Sequence, residues 1–345
     1  MEGITKQRIT SERLATDVLF SGPDDGTPVV FLHGNLSGAT WWEETMLALP
    51  EGFRGIAPDQ RGFGGADRDK LVDATRGLGD LADDFVALLD VLDLEKVHLV
   101  GHSMGGAVVW RIMRDYPDRL LTVTQVAPGS PYGFGGTKDA DGTPCWDDYA
   151  GSGAGIVNAA FAELLAAGDT SMDSPLSPRI ALRRLVFKPS FIPEREDEIL
   201  AAMLATHFHE KAYPGDFSQS PNWPGLVPGV WGVNNALSPK YAGDVERLIN
   251  APHKVDVLWI RGSDDLAVSD TAAADPGTLG ASGLLPHWPG AEVYPPQPML
   301  AQTRAVLDRY GTTIKEVVIE QTGHTPYLEN PEAFNRAFHE HLTQI

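Results

Sequence analysis

The chain has 345 residues, with 47 Asp and Glu against 27 Lys and Arg, giving a formal net charge of −20. Hydrophobic residues make up 42% and charged residues 21%, the proportions of an ordinary globule. So acidic a surface repels phosphate backbones and anionic lipid headgroups, and neither nucleic acid nor membrane is expected as a partner. Cys145 is the only cysteine, which excludes an intrachain disulfide and a cysteine-rich metal site. No stretch approaches the ~18 uninterrupted apolar residues of a membrane-spanning helix. The start, Met1-Glu-Gly-Ile-Thr-Lys6, lacks a charged-then-apolar leader pattern. The expectation is a cytoplasmic protein, monomeric or homodimeric.

Short apolar runs alternate with helical patterns through the first third. Pro28-Val-Val-Phe-Leu32 is a continuous apolar run that suits a strand buried on both faces. Phe53 to Pro58 is the next strand, ended by Asp59-Gln-Arg-Gly-Phe-Gly64, whose Asp59 and Arg61 are expected to brace a loop. Leu78, Leu81, Phe85, Leu88, Leu89 and Leu92 then recur at helical spacing, with Asp80, Asp83 and Asp84 near the helix start. Lys96 to Val100 reads as a strand, Gly105 to Asp115 as a helix and Leu121 to Val126 as another strand. That alternation predicts a parallel sheet wrapped by helices.

The alternation stops between about Ala127 and Ile249, where helical patches (Val157 to Ala167, Glu194 to His207) sit between Pro- and Gly-rich loops. It resumes at Val255 to Ile260 and Ile314 to Ile319, and a helix over Pro331 to Leu342 closes the chain. We read one α/β core (1–127 and 250–345) interrupted by an insertion at 128–249, with a second insertion at 272–298.

Gly101-His-Ser-Met-Gly105 fits G-x-S-x-G between a strand and a helix. Glycines two before and two after Ser103 let the backbone turn sharply and lift its hydroxyl out of the sheet. A serine needs a base, and among ten histidines His324, in Gly323-His-Thr-Pro after the last strand, is the candidate. His33 and His102 lie in glycine-rich turns, where backbone roles are expected. His207 and His209 are two apart and would diverge on a helix, so no metal site is expected. The base needs a carboxylate to fix its tautomer, and Asp264 and Asp265 both follow the Leu258-Trp-Ile260 strand.

In this order, strand-HGN, DQRGFG, GHSMGG, strand-RGSDD and GHTPYLENP, the chain resembles the α/β-hydrolase superfamily, in a serine-nucleophile, carboxylesterase-like form with a cap domain. The resemblance covers about Ile9 to Ala127 and Asn250 to Ile345. It implies a mostly parallel sheet flanked by helices, with a largely helical, loop-rich cap. It also selects Asp265, the third residue after the strand-ending glycine, as the acid, leaving Asp264 a turn or capping role. The oxyanion hole would combine the backbone N–H of Met104 with that of Asn35, and Leu36 stands behind it as a second choice.

Related epoxide hydrolases and haloalkane dehalogenases carry an aspartate at the nucleophile position, whereas a serine suits acyl transfer. The expected reaction is hydrolysis of a carboxylic ester, open-chain or lactone, on a medium-sized uncharged small molecule, with no cofactor and no metal. C–C bond hydrolysis and amide or peptide cleavage by the same triad are the alternatives. A non-catalytic ligand-binding protein on the same fold is a remote one. Leu36, and Trp223, Trp231, Trp288 and Tyr294 in the two insertions, are candidates to line an apolar substrate pocket, with ordinary packing as the competing role for the aromatics.

Overall fold

In a computed structural model describing residues 1–344, the apolar run Val29-Val-Phe-Leu32 is buried on both faces. Val29 and Phe31 enter one hydrophobic cluster, Val30 and Leu32 the other. The strands, in chain order, are β1 (Thr5–Thr10), β2 (Ala15–Ser21), β3 (Thr27–Leu32), β4 (Phe53–Pro58), β5 (Val97–His102), β6 (Leu120–Val126), β7 (Phe217–Gln219), β8 (Leu226–Pro228), β9 (Val257–Gly262) and β10 (Ile314–Ile319). Eight of them form one sheet in the order β1-β2-β4-β3-β5-β6-β9-β10. From β4 to β10 every pairing is parallel, and β1 and β2 add an antiparallel edge. The mostly parallel sheet agrees with the sequence reading.

Among the described residues, the longest helices are α1 (Gly79–Val91), α2 (Met104–Asp115), α3 (Ala159–Ala166), α4 (Glu196–Leu204), α5 (Met299–Tyr310) and α6 (Pro331–Leu342). Leu81, Phe85, Val108, Ile112 and Val306, from α1, α2 and α5, cover one face of the sheet. Trp41, Trp42 and Met46, with Phe334, Phe338 and Leu342 of α6, cover the other. Residues 128–249 have no hydrophobic cluster of their own. Leu182, Phe187, Leu200 and Tyr213 join the second cluster, while Val233, Ala236 and Leu248 join the first.

Two differences from the sequence reading have simple causes. The first strand, Thr-Lys-Gln-Arg-Ile-Thr, is an exposed edge with no apolar face to betray it. The insertion does contain strand, the antiparallel β7–β8 hairpin, whose strands of three residues each are too short for period-two alternation to register.

The Asp59 and Arg61 braces are visible. Asp59 accepts the N–H groups of Ala39 and Gly65, and buried Arg61 binds Asp84 through two bonds of 2.7 Å. Such a forked, buried pair fixes the loop after β4 in one geometry.

Candidate active site

Topology gathers the candidate residues before any side chain is considered. β3 and β5 are parallel neighbours, with Leu32 opposite Gly101, so the loops carrying Asn35 and Ser103 leave the sheet side by side. β9 and β10 are likewise neighbours, with Gly262 opposite Ile319, which brings the loops of Asp265 and His324 together. All four loops lie at the carboxyl edge. There, next to the reversal of strand order at β3 and β5, open α/β sheets form their ligand crevice.

Ser103 sits at φ 55°, ψ −115°, a strained conformation for a residue with a side chain. The glycines around it are obligatory. A Cβ on Gly105 would lie 2.3 Å from the Leu32 carbonyl oxygen, and one on Gly101 would lie 2.6 Å from the Gly105 oxygen. Ser103 is half-buried, and its hydroxyl has no hydrogen-bond partner among the described residues. Met104 opens α2, so its N–H is among the four a helix leaves without an intrahelical acceptor.

His324 Nδ1 meets Asp265 Oδ2 at 2.8 Å, and both residues are buried. The other carboxylate oxygen, Oδ1, accepts the N–H groups of Ala267 and Val268 at 2.8 and 2.9 Å, so the carboxylate is held at both ends. This leaves His324 Nε2 without a protein partner and the tautomer set by Asp265. Asp264 goes elsewhere. It is exposed and pairs with Lys188, and its hydrogen bond from Ser263 and that cation hold its carboxyl below the usual range.

The base loop is itself clamped. His324 donates its backbone N–H to Val186, and its carbonyl accepts from His102 Nε2, both at 2.9 Å. The His102 ring lies 4.6 Å from the His324 ring, which puts the base beside the elbow. Burial holds His102 well below the ordinary histidine pKa, and the nearby His324 adds to that, so His102 is neutral and donates through Nε2. Glu329 accepts the N–H groups of Gly323, Thr325 and Lys188, joining the base loop to the insertion. His102 matches the expected backbone role. Tyr327, whose ring stacks on Trp42 at 4.1 Å and whose hydroxyl faces His102, went unread, as did Glu329.

At the oxyanion loop, a Cβ on Gly34 would lie 3.2 Å from Ser103 Cβ, so this backbone runs against the nucleophile. His33 is locked behind it, its Nδ1 on the Gly34 carbonyl and its Nε2 accepting from Gln60 N–H. Leu36 N–H is occupied by Asn35 Oδ1 at 3.0 Å. Among the described residues the Asn35 backbone N–H has no acceptor, so it, not that of Leu36, is the free candidate donor of this loop.

Three of the four insertion aromatics, Trp223, Trp288 and Tyr294, pack together. Trp223 packs edge-on to Tyr294 at 4.8 Å and donates to Pro286 O, and Trp288 donates to Tyr294 O. Tyr294 is wholly buried, its hydroxyl on the carbonyls of Ala150 and Gly151. Trp231 receives Lys211 over its ring. A buried phenol needs an acceptor, and Tyr294 finds two, while the half-buried indoles of Trp223 and Trp288 each donate to a backbone carbonyl. Trp223 and Tyr294 thereby join residues 272–298 to residues 128–249. Among the described residues no cluster of metal-ligating side chains occurs, and His207 instead bonds to Gly64 O. Burial pushes the Cys145 thiol up to about 12, which makes it no rival nucleophile.

The family model described as alpha/beta hydrolase fold matches residues 27–150. Over 121 residues the chain is 33% identical to the AB hydrolase superfamily protein YfhM of Bacillus subtilis, which is 35% of this chain and 42% of that protein. The chain spans less than half the length of this and the other curated relatives it matches first. Among solved structures, 2-hydroxy-6-oxo-6-phenylhexa-2,4-dienoate hydrolase from Rhodococcus sp. strain RHA1 superposes with TM-score 0.62 at 18% identity, covering 98% of each chain. Carboxylesterase CesB from Bacillus subtilis superposes with TM-score 0.57 at 19% identity, covering 99% of this chain and 92% of that one. With its sheet order, its strand–serine–helix turn and these likenesses, the chain has the α/β-hydrolase fold.

Proposed function

We propose that the chain is a serine hydrolase cleaving a carboxylic ester, open-chain or lactone, of a medium-sized uncharged molecule. The observation that supports this is the Asp265–His324 pair, whose imidazole lies 4.6 Å from the ring of His102, the residue before Ser103 on its strained turn. Ser103 Oγ attacks the acyl carbon while His324 Nε2 takes its proton. The carbonyl oxygen becomes an oxyanion facing the N–H groups of Asn35 and Met104. Collapse expels the alkoxide, which receives the proton from His324, and leaves an acyl ester on Ser103. Water, deprotonated by His324, then releases the acid and restores the serine. Asp265 stays ionised throughout and stabilises the imidazolium.

C–C bond hydrolysis is the second reading, favoured by the end-to-end likeness to a dienoate hydrolase. A dienoate is an anion, and the side chains set against the His324 ring, those of Asp265 and a neutral His102, supply no cation. That favours an uncharged ester. Comparing kcat/KM over acyl esters, lactones, aryl amides and a vinylogous diketone tests the choice. Esters or lactones should lead the others by at least tenfold, and a lead for the diketone would move the assignment to C–C cleavage.

A further inference from the structure

The oxyanion loop is held from the insertion as well as from the core. Asn35 is fixed at both ends of its amide, with Oδ1 accepting Leu36 N–H at 3.0 Å and Nδ2 donating to Asn234 Oδ1 at 2.8 Å. Asn234 is oriented in turn, because its Nδ2 donates to Pro214 O at 2.9 Å. It belongs to the single helical turn Val233–Ala236, whose next residue, Asn235, is wholly buried. Asn235 bonds to Ala154 N–H, Asp216 O and Trp231 O. The turn is therefore rigid, and a chain of directed hydrogen bonds runs from it to the residue after Gly34.

The loop needs that support. Leu36 has φ 51°, a left-handed conformation that a leucine does not favour. The Asn35 side chain stabilises it by taking the Leu36 N–H. The same bond removes that N–H from the oxyanion hole and leaves the Asn35 N–H as the donor on this side. Its direction is set by the Gly34–Asn35 peptide, and glycine offers little resistance to that peptide's rotation. Anchoring the Asn35 side chain on Asn234 restrains the rotation.

We propose that Asn234 is a positioning residue for the oxyanion hole, acting through the Asn35 amide on the Asn35 backbone N–H. This rests on the serine-hydrolase reading. It couples the insertion to the chemical step, in addition to any part the insertion takes in binding substrate.

The test compares wild type, Asn234→Ala, Asn35→Ala and the double variant on a nitrophenyl ester. It also uses an alkyl trifluoromethyl ketone, which adds to the serine and forms an oxyanion. Asn234→Ala should lower kcat by about tenfold to a hundredfold, less than outright loss of an oxyanion donor. Ketone affinity should weaken by a similar factor, with KM within about threefold. Asn35→Ala, in the core, should do the same, and the double variant little more, because the two act as one unit. A fall in melting temperature with kcat and ketone affinity unchanged would make Asn234 a fastener of the insertion and overturn the proposal. So would a loss of kcat with ketone affinity unmoved. Labelling by a fluorophosphonate separates the two levels. A wild type that does not label defeats the hydrolase reading, while one that labels with an unaffected Asn234→Ala defeats this inference alone.

Discussion

The carboxyl edge of the sheet and the two insertions fix their side chains in different ways. At the sheet edge, each candidate catalytic group stands at the end of a parallel strand, and backbone sterics dictate its neighbours. Gly101 and Gly105 admit no Cβ, and Ser103 takes a positive φ that the turn imposes. In the insertions, large aromatic residues hold one another, as Trp223, Trp288 and Tyr294 do, without a strand to set their direction. A residue's type predicts its role where backbone geometry leaves few options, and predicts it poorly where packing leaves many.

The largest expected effects lie on the sheet-edge side. Ser103→Ala should fold normally and lose at least ~10⁴-fold in kcat, His324→Ala should lose about as much, and the double variant little more. Steady-state kinetics on the three proteins checks this. A folded Ser103→Ala keeping a tenth of the activity would break the comparison at its root.

Next come the adjacent carboxylates. Asp265→Asn should cost about 10³–10⁴-fold in kcat by presenting the wrong imidazole tautomer. Asp264→Asn, which loses only an exposed pair with Lys188, should stay within about threefold. Reversed outcomes would transfer the acid to Asp264.

Insertion residues should report on stability first. Phe187 is buried against Trp41, with ring centroids 6.3 Å apart, one residue beyond the Val186 carbonyl that holds His324. Phe187→Ala should cost about 3–5 kcal/mol in urea unfolding, as buried aromatic truncations do. A loss under about 1 kcal/mol would mean that this segment is not anchored as described.

The two regions should also answer pH with opposite signs. Burial pushes Asp275, in the second insertion, up to about 6, so it binds its proton more tightly folded than unfolded. Its contribution is full below about pH 4 and is lost as pH rises through about 6, on the order of 2–3 kcal/mol. Burial pushes His98, on β5 beside Thr122, down to about 4, so its contribution is present above its ordinary value near 6.5 and is lost as pH falls through about 4. The two act over the same range with opposite sign, so in thermal melts Asp275→Asn should gain stability relative to wild type as pH rises from about 4 to about 6, and His98→Gln should lose it. Unchanged slopes would contradict both assignments.

Much of the sheet edge was legible in the sequence because its signals are local. The run Val29 to Leu32, the glycines around Ser103 and the Gly323-His324 pair each declare a turn within a few residues. The choice between Asp264 and Asp265 was not local, and it was drawn from family resemblance. What escaped was long-range. The Asn35–Asn234 bond joins positions 199 apart, and the hold of Val186 on His324 joins two segments without a shared motif. The aromatic joint escaped for the same reason. Nothing near Trp223 in the sequence says that its indole will find Pro286 O.

The central claim is an acyl-enzyme on Ser103, and rapid-quench mass spectrometry after mixing with a nitrophenyl ester tests it most directly. The account predicts that the intact chain gains the mass of the acyl group within the first turnover. Peptide mapping should place that mass on the segment containing Ser103, and Ser103→Ala should gain none. Ester turnover with no mass gain in wild type, or an equal gain in Ser103→Ala, would contradict it.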